Sequence, residues 1–406
     1  MSEQEAKKEE NPPEEKKVNN EIVLPIQVSL SDQSTPDHEI FNLGGTYVKD
    51  SVSRKLREFT LLRNKLAEGW PGIYVPGCPS RKIIGSSESE TSKLRLNLLN
   101  RFLKKLSKYK HLLESKEFQI FLDPKNEISS NDVTKKLSSL PLQTNEDLIK
   151  KYSLAFTDFD DNYDTREFKV QQVKFRDFLR ECYPKIEKFR DYVKALKDKF
   201  EANKNDLANA ITQIRSFEKD IVNEYGEKDE SKLIFENPVN TQLNESIINA
   251  GEKMNNPYNK MYELILGDLL DIEGMLNAFD WEQKIQDEYD KLVKDYYECT
   301  SDITDLHAGK GGVFMFFGLT KKEDEIKAKT EEKDILEKKM HNLGQVIKIA
   351  SFIMDQEIKT FKSNFINNYY NQIKSLQGVS MDNLQLNSQL WKNIENDPNV
   401  QGVKDE

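Results

Sequence analysis

The side chains of this sequence best suited to chemistry are cations gathered near its start. Residues 21–125 hold 17 Lys and Arg against 12 Asp and Glu, a local net of +5, while the 20 residues before them carry −2 and those after them −13. A basic module carried by an acidic chain points to an anionic partner for that module. Within it, Lys55, Arg81 and Arg95 fall on three separate segments. Several cations converging from a rigid scaffold are what a multiply charged phosphate ligand requires, and a small sheet-plus-helix module could bring these three together. On charge placement alone they also fit solvated surface positions. Nucleic acid is disfavoured, because no basic stripe interleaved with aromatics and no zinc-finger spacing appears.

Catalytic signatures are absent. There is no Gly-x-Ser-x-Gly elbow and no His-Glu-x-x-His, and Gly309-Lys310-Gly311-Gly312 lacks the spacing of a phosphate-binding glycine loop. The four histidines, His38, His111, His307 and His341, are scattered without metal-ligand spacing. The sequence therefore predicts a non-enzyme with no cofactor and no metal. Its 406 residues leave room for two or three domains, and a charged fraction of 32% with a mean hydropathy of −0.73 suits elongated helices with much solvated surface. No apolar run approaches the ~20 residues of a membrane span, and residues 1–20 are Glu/Lys/Pro-rich with no signal-peptide core. Cys78, Cys182 and Cys299 are odd in number and far apart, which fits reduced thiols in the cytosol.

The elements that must position the cations follow from patterning. Residues 1–20 read as a disordered tail. β-favouring runs at 22–30 and 40–43, then Gly44-Gly45 and residues 46–48, predict a small antiparallel sheet. Helices are expected at about 59–68, 92–108 (with Ser92 as N-cap) and 115–122, with a loop carrying Pro71, Pro76 and Pro79 between the first two. The result is an α+β module over 21–125. Residues 126–164, Ser/Asn/Thr/Pro-rich over 129–144, read as linker, and 165–183 as a short amphipathic helix ending at Pro184. Beyond it the apolar beat Ile186, Phe189, Val193, Leu196, Phe200, with Leu207, Ala210, Ile214, Phe217 and Ile221 further on, averages 3.5 residues and keeps one seam on one side. Similar beats predict long helices at about 184–225, 242–306 and 322–376, the first roughly 60 Å long, followed by a tail over 379–406. Three such helices are too thin to bury their stripes alone, so an elongated all-α bundle that dimerises into a six-helix core is expected.

The most specific strings in the module are Val52-Ser53-Arg54-Lys55-Leu56-Arg57-Glu58-Phe59, Pro71-Gly72-Ile73-Tyr74-Val75-Pro76-Gly77-Cys78-Pro79-Ser80-Arg81-Lys82, Arg95 with Leu99, Phe102 and Leu103, and His111-Leu112-Leu113 with Glu117-Phe118-Gln119-Ile120-Phe121-Leu122. They resemble a phox-homology (PX) domain, and the order of elements after them resembles the BAR domain of PX-BAR sorting nexins. The resemblance implies phosphoinositide binding, phosphatidylinositol 3-phosphate being the expected lipid, at Lys55, Arg81 and Arg95, with Lys82, Arg54 and Leu56 beside them. Lys55 and Leu56 stand where the family has an Arg followed by an aromatic residue. It also implies a crescent-shaped dimer, with itself or a related sorting nexin, that senses or shapes curved endosomal membrane from the cytoplasmic side during protein transport, with cargo or coat proteins as further partners.

Two apolar segments invite membrane insertion. Ile73, Tyr74 and Val75 adjoin Arg81 and Lys82, as an interfacial loop would. Phe314, Phe316 and Phe317, flanked by Lys310, Lys321 and Lys322, fall between the second and third long helices, where they fit either insertion or a hydrophobic plug closing the bundle. The 165–183 helix fits either membrane contact or packing between domains. A protein-interaction adaptor with a degenerate PX module is the competing function.

Overall fold

The structure is a computed structural model that describes residues 26–35, 38–48, 50–85, 87–159, 163, 165–225, 233–235, 241–249, 253–308 and 322–401. It begins with an antiparallel sheet in the order β1 (Gln27–Leu30), β2 (Ile40–Gly44), β3 (Val52–Lys55). Leu43 sits opposite Val28 and Val52, and Phe41 opposite Leu30 and Arg54. Every second residue is buried under the helices that follow. The third strand lies beyond the expected 46–48. Gly45, at φ 118°, turns the chain, and Val48 donates back to the Gly45 carbonyl at 3.3 Å, so pairing resumes only at Val52.

Helix α1 (Leu56–Gly69) buries Leu56, Phe59, Leu62 and Leu66 along one stripe. Helix α2 (Glu88–Leu106) starts a turn earlier than expected, because Ser87 and not Ser92 caps it, its hydroxyl accepting from Glu90 N at 3.2 Å. Two short helices, α3 (Lys110–Leu113) and α4 (Lys116–Leu122), complete the module. The segment expected to be linker carries α5 (Asp132–Ser138) and α6 (Asn145–Ala155). Their small apolar sets, Val133 with Leu137 and Leu148 with Tyr152, are spaced four apart and join the module's core. Thr144 and Asp147 cap α6 reciprocally, and the Tyr152 hydroxyl donates to the Pro71 carbonyl at 2.6 Å.

The second half is built on three long helices, α7 (Thr165–Tyr225), α9 (Tyr258–His307) and α10 (Lys322–Glu395), with α8 (Thr241–Ile248) and the short α11 (Pro398–Gln401). α7 passes straight through Pro184, fusing the expected amphipathic helix with the first long one, and at 61 residues is roughly 90 Å long. In place of a tail from 379, α10 continues to Glu395, since Leu390 packs with Leu243 and Ile247 of α8 and no proline intervenes before Pro398. The expected 242–306 helix is divided, with the Asn256–Pro257 turn opening α9. α9 runs antiparallel to both neighbours. It pairs with α10 at Cys299–Lys329, Glu282–Ser351 and Asp268–Gln372, and with α7 at Gln286–Lys169, Asp280–Arg180 and Glu273–Tyr183. Among the described residues no helix is long and apolar enough to cross a membrane.

The module and the long helices share a core. Ile73 and Val75 pack in one cluster with Ile285, Leu343, Val346 and Ala350, and Tyr74 in another with Ile272, Met275 and Met354. Beside this apolar contact, Arg101 donates to Asp268 at 3.1 Å and to Asp271, which also accepts from Lys105. Asn368 and Gln372 donate to Asp268 at 2.8 and 2.7 Å. Burial pushes the Asp268 carboxyl up to about 6, against the pull of Arg101.

Candidate anion-binding site

The site is built where β3 becomes α1. Glu58 reaches back to accept from the Lys55 backbone N–H at 2.7 Å, which fixes the strand-to-helix corner and leaves the Lys55 side chain on the face opposite Arg54. Across from it lies Arg95, on the second turn of α2. The Arg95 guanidinium donates to the carbonyls of Ile83 at 3.0 Å and Arg81 at 2.8 Å, so it clamps the end of the proline-rich loop and holds Arg81 at the rim. The third contact of Arg95 is a carboxylate: Nη1 donates to Glu39 Oε2 at 2.7 Å, and the Ser92 hydroxyl donates to Glu39 Oε1 at 2.8 Å.

These groups enclose one open cavity of about 430 Å³, lined by His38, Glu39, Lys55, Leu56, Arg57, Arg81 and Arg95. Of the residues singled out from sequence, Lys55, Leu56, Arg81 and Arg95 converge here. Lys82 is exposed and lies outside the lining. Leu56 is only 3% exposed and belongs mainly to the core. Arg54 must be reassigned: it points inward, 2% exposed, and donates to the carbonyls of Phe121 at 2.7 Å, Asp123 at 2.8 Å and Asn126 at 3.1 Å. Burial lowers its affinity for the proton, offset in part by Glu58 and Asp123.

Three lining residues were not anticipated. Arg57 follows Lys55 by two positions at the start of α1 and also donates to Asn131 Oδ1, while the Lys55 ammonium donates to the Ile128 carbonyl at 3.3 Å. Both cations thus hold the turn before α5 against the rim. Glu39 and His38 arrive from just before β2, a placement only the strand register reveals.

The membrane-insertion assignment of Ile73, Tyr74 and Val75 is overturned: they are 2%, 4% and 1% exposed, clamped against α9 and α10. The physical reason is two facing glycines. A Cβ on Gly77 would stand 2.0 Å from the Leu270 carbonyl oxygen, and one on Gly274 would stand 2.8 Å from that of Val75, so loop and helix backbones meet directly. Phe314, Phe316 and Phe317 lie outside the described residues. The 165–183 segment takes the packing alternative, with Phe168, Phe175 and Leu179 buried among Phe279, Met354 and Phe361.

A cationic cavity at a strand-to-helix corner, roofed by a proline-rich loop and set on a small sheet-and-helix module ahead of three long antiparallel helices, defines a PX-type module joined to a BAR-type bundle. The PX domain family model matches residues 44–125, and the chain as a whole has a PX-BAR fold. It is similar to sorting nexin-4 of Candida albicans, 25% identical over 192 residues that make up 43% of this chain and 30% of that protein. It is also similar to sorting nexin 2B of Arabidopsis thaliana, 25% identical over 133 residues, 31% of this chain and 23% of that one. The chain is thus aligned with under a third of the length of these relatives. The cryo-EM structure of the SNX-BAR Mvp1 tetramer shares its fold, with a TM-score of 0.51 and 13% identity across 91% of this chain and 99% of that one.

Proposed function

We propose that this protein binds phosphoinositide headgroups, phosphatidylinositol 3-phosphate first among them, through the cavity of its PX domain and acts by binding, not catalysis, as a peripheral protein of curved endosomal membrane in intracellular transport. The carrying observation is the convergence of Lys55, Arg57, Arg81 and Arg95 on one cavity, since cations focused on a rigid concave site give charge-assisted contacts to phosphate. The long helices supply the second half of the reading. Along α7, Leu196, Ile214, Phe217 and Ile221 are 44%, 45%, 65% and 43% exposed, an apolar stripe that the described residues leave largely uncovered. A second copy or a related sorting nexin would bury it and make the paired rod that curvature reading needs.

The test is sedimentation with vesicles. Wild type is expected to pellet with phosphatidylinositol 3-phosphate vesicles and to release as salt rises. Lys55→Ala with Arg81→Ala should weaken pelleting at least roughly tenfold, the scale of losing two charge-assisted contacts. Wild-type pelleting on neutral vesicles equal to that on phosphatidylinositol 3-phosphate vesicles, and unaffected by the double substitution, would overturn the headgroup reading. A protein-interaction adaptor is the second reading, favoured by the burial of Ile73, Tyr74 and Val75, which removes them as a membrane wedge. Strong vesicle binding gained only on Lys55→Arg, over a negligible wild-type signal, would favour it.

A further inference from the structure

Among the described residues, Glu39 is the one carboxylate lining the cationic cavity. It is no stray surface group. At 7% exposed, it is held from both sides, by Arg95 Nη1 on Oε2 at 2.7 Å and by the Ser92 hydroxyl on Oε1 at 2.8 Å. Arg95 in turn has three of its five N–H groups engaged, by Glu39 and by the carbonyls of Ile83 and Arg81. An anion entering the cavity therefore meets an arginine already half-saturated and half-neutralised.

We propose that Glu39 is a built-in counter-anion that sets how much negative charge the cavity accepts, matching it to an inositol lipid carrying one phosphate monoester and disfavouring headgroups with two or more. The proposal rests on the headgroup reading above and adds to it a residue that determines selectivity. Four lining cations, Lys55, Arg57, Arg81 and Arg95, against Glu39 leave a net of +3. A phosphate monoester brings about −1.5 to −2 near neutral pH and the lipid's diester one more, so a monophosphorylated headgroup is close to neutralising that charge. Each further monoester adds about the same charge again with no further lining cation among the described residues to meet it, and Glu39 repels it in a partly desolvated site where such terms are strong. Specificity here comes from a repulsive element as well as from attractive ones.

Glu39→Gln isolates the charge, because an amide keeps an oxygen for Arg95 and an NH2 for the Ser92 hydroxyl. Full-length wild type and variant are compared on phosphatidylcholine vesicles containing either phosphatidylinositol 3-phosphate or a phosphatidylinositol bisphosphate. Glu39→Gln should strengthen bisphosphate binding roughly tenfold and monophosphate binding less than about threefold, the scale of one removed unit charge acting on unequal ligand charges. Arg81→Gln, which changes the net charge the other way, should lower the bisphosphate-to-monophosphate ratio, and it keeps the question decidable if Glu39→Gln does not fold. Titrating soluble inositol phosphates by calorimetry should show the same change of ratio; a change confined to vesicles would assign it to the membrane field and overturn the proposal. So would a uniform loss of binding in Glu39→Gln, which makes Glu39 a structural brace for Arg95, or an unmoved ratio in both variants. If wild type binds neither lipid better than phosphatidylcholine, the headgroup reading fails; if it binds through Lys55 and Arg81 with an unmoved ratio, the role of Glu39 alone fails.

Discussion

Arg54 and Lys55 are adjacent cations with opposite fates, separated by the pleat of β3. Val52 and Arg54 face inward while Ser53 and Lys55 face out, so the period of two that buries Val52 commits Arg54 to the carbonyls of Phe121, Asp123 and Asn126. Arg54→Ala should destabilise the PX domain by roughly 3–5 kcal/mol, read as a lower urea midpoint, because it strands several buried acceptors. Arg54→Lys should recover only part of this, lacking the fork. The sequence string names both cations alike, and only the strand's alternation separates binder from brace. Lys55, Arg81 and Arg95 were legible because each sits in a recognisable local string, whereas Glu39 was not, since it reaches Arg95 across the sheet from 56 residues away in sequence. His111 carries a second prediction. It sits edge-on to Trp70 and Phe156, with ring centroids 4.8 and 5.0 Å away, and burial, with Lys151 nearby, pushes it down to about 4. The folded state then binds this proton less well than the unfolded chain, so stability is present above the unfolded value near 6.5 and is lost as pH falls toward 4. Between pH 7.5 and 5 the loss is about 2 kcal/mol. Asp268, with its folded value raised, works in the opposite sense. His111→Phe leaves Asp268 in place and keeps an aromatic ring, so paired urea titrations at pH 7.5 and 5 should show the variant losing about 2 kcal/mol less stability than wild type on acidification.

At the scale of elements, the proline-rich loop is the largest departure from the sequence reading. Ile73-Tyr74-Val75 between prolines reads as an exposed apolar tip, and nothing local says that a helix nearly 200 residues later covers it, with the Tyr74 hydroxyl 3.4 Å from Asp271. The signal that existed was glycine in an otherwise strong helix: Gly267 and Gly274 stand where Arg101 and Val75 approach α9 too closely for a Cβ. These two glycines serve docking. Gly77→Ala should detach the loop from α9, since its methyl would meet the Leu270 carbonyl oxygen at 2.0 Å. Expected are a loss of about 3 kcal/mol and new proteolytic cleavage within residues 70–85. Gly378→Ala is the matched control, with nothing within 4 Å of the added methyl, and should stabilise α10 slightly. Long helices were legible because a 3.5-residue beat persists over many turns, while their ends were not: Pro184 is accommodated inside α7, and α10 is extended by packing on α8, which no local residue announces.

At the scale of the molecule, the shared core and the Arg101–Asp268–Asp271–Lys105 cluster fix the cationic cavity in one orientation relative to the long helices, so a paired rod would present two cavities at a set spacing. The stripe on α7 is what would make the pair. Ile214, Phe217 and Ile221 recur at three and four residues, all are 43% exposed or more, and α10 adds Ile366, Tyr369 and Ile373 at 55%, 53% and 42%. Ile214→Glu with Phe217→Glu should convert a dimer of the 47.3 kDa chain to monomer in sedimentation equilibrium while leaving helical circular dichroism unchanged, because neither side chain is buried within its own chain. Vesicle binding should weaken by roughly 10²-fold or more although the cavity is untouched, since two linked sites on one membrane gain avidity that a single site lacks. A monomeric wild type at micromolar concentration, or a variant that remains dimeric, would place the partner surface elsewhere. A dimer lost with vesicle binding unchanged would mean that a single cavity suffices and that the rod's role is shape alone.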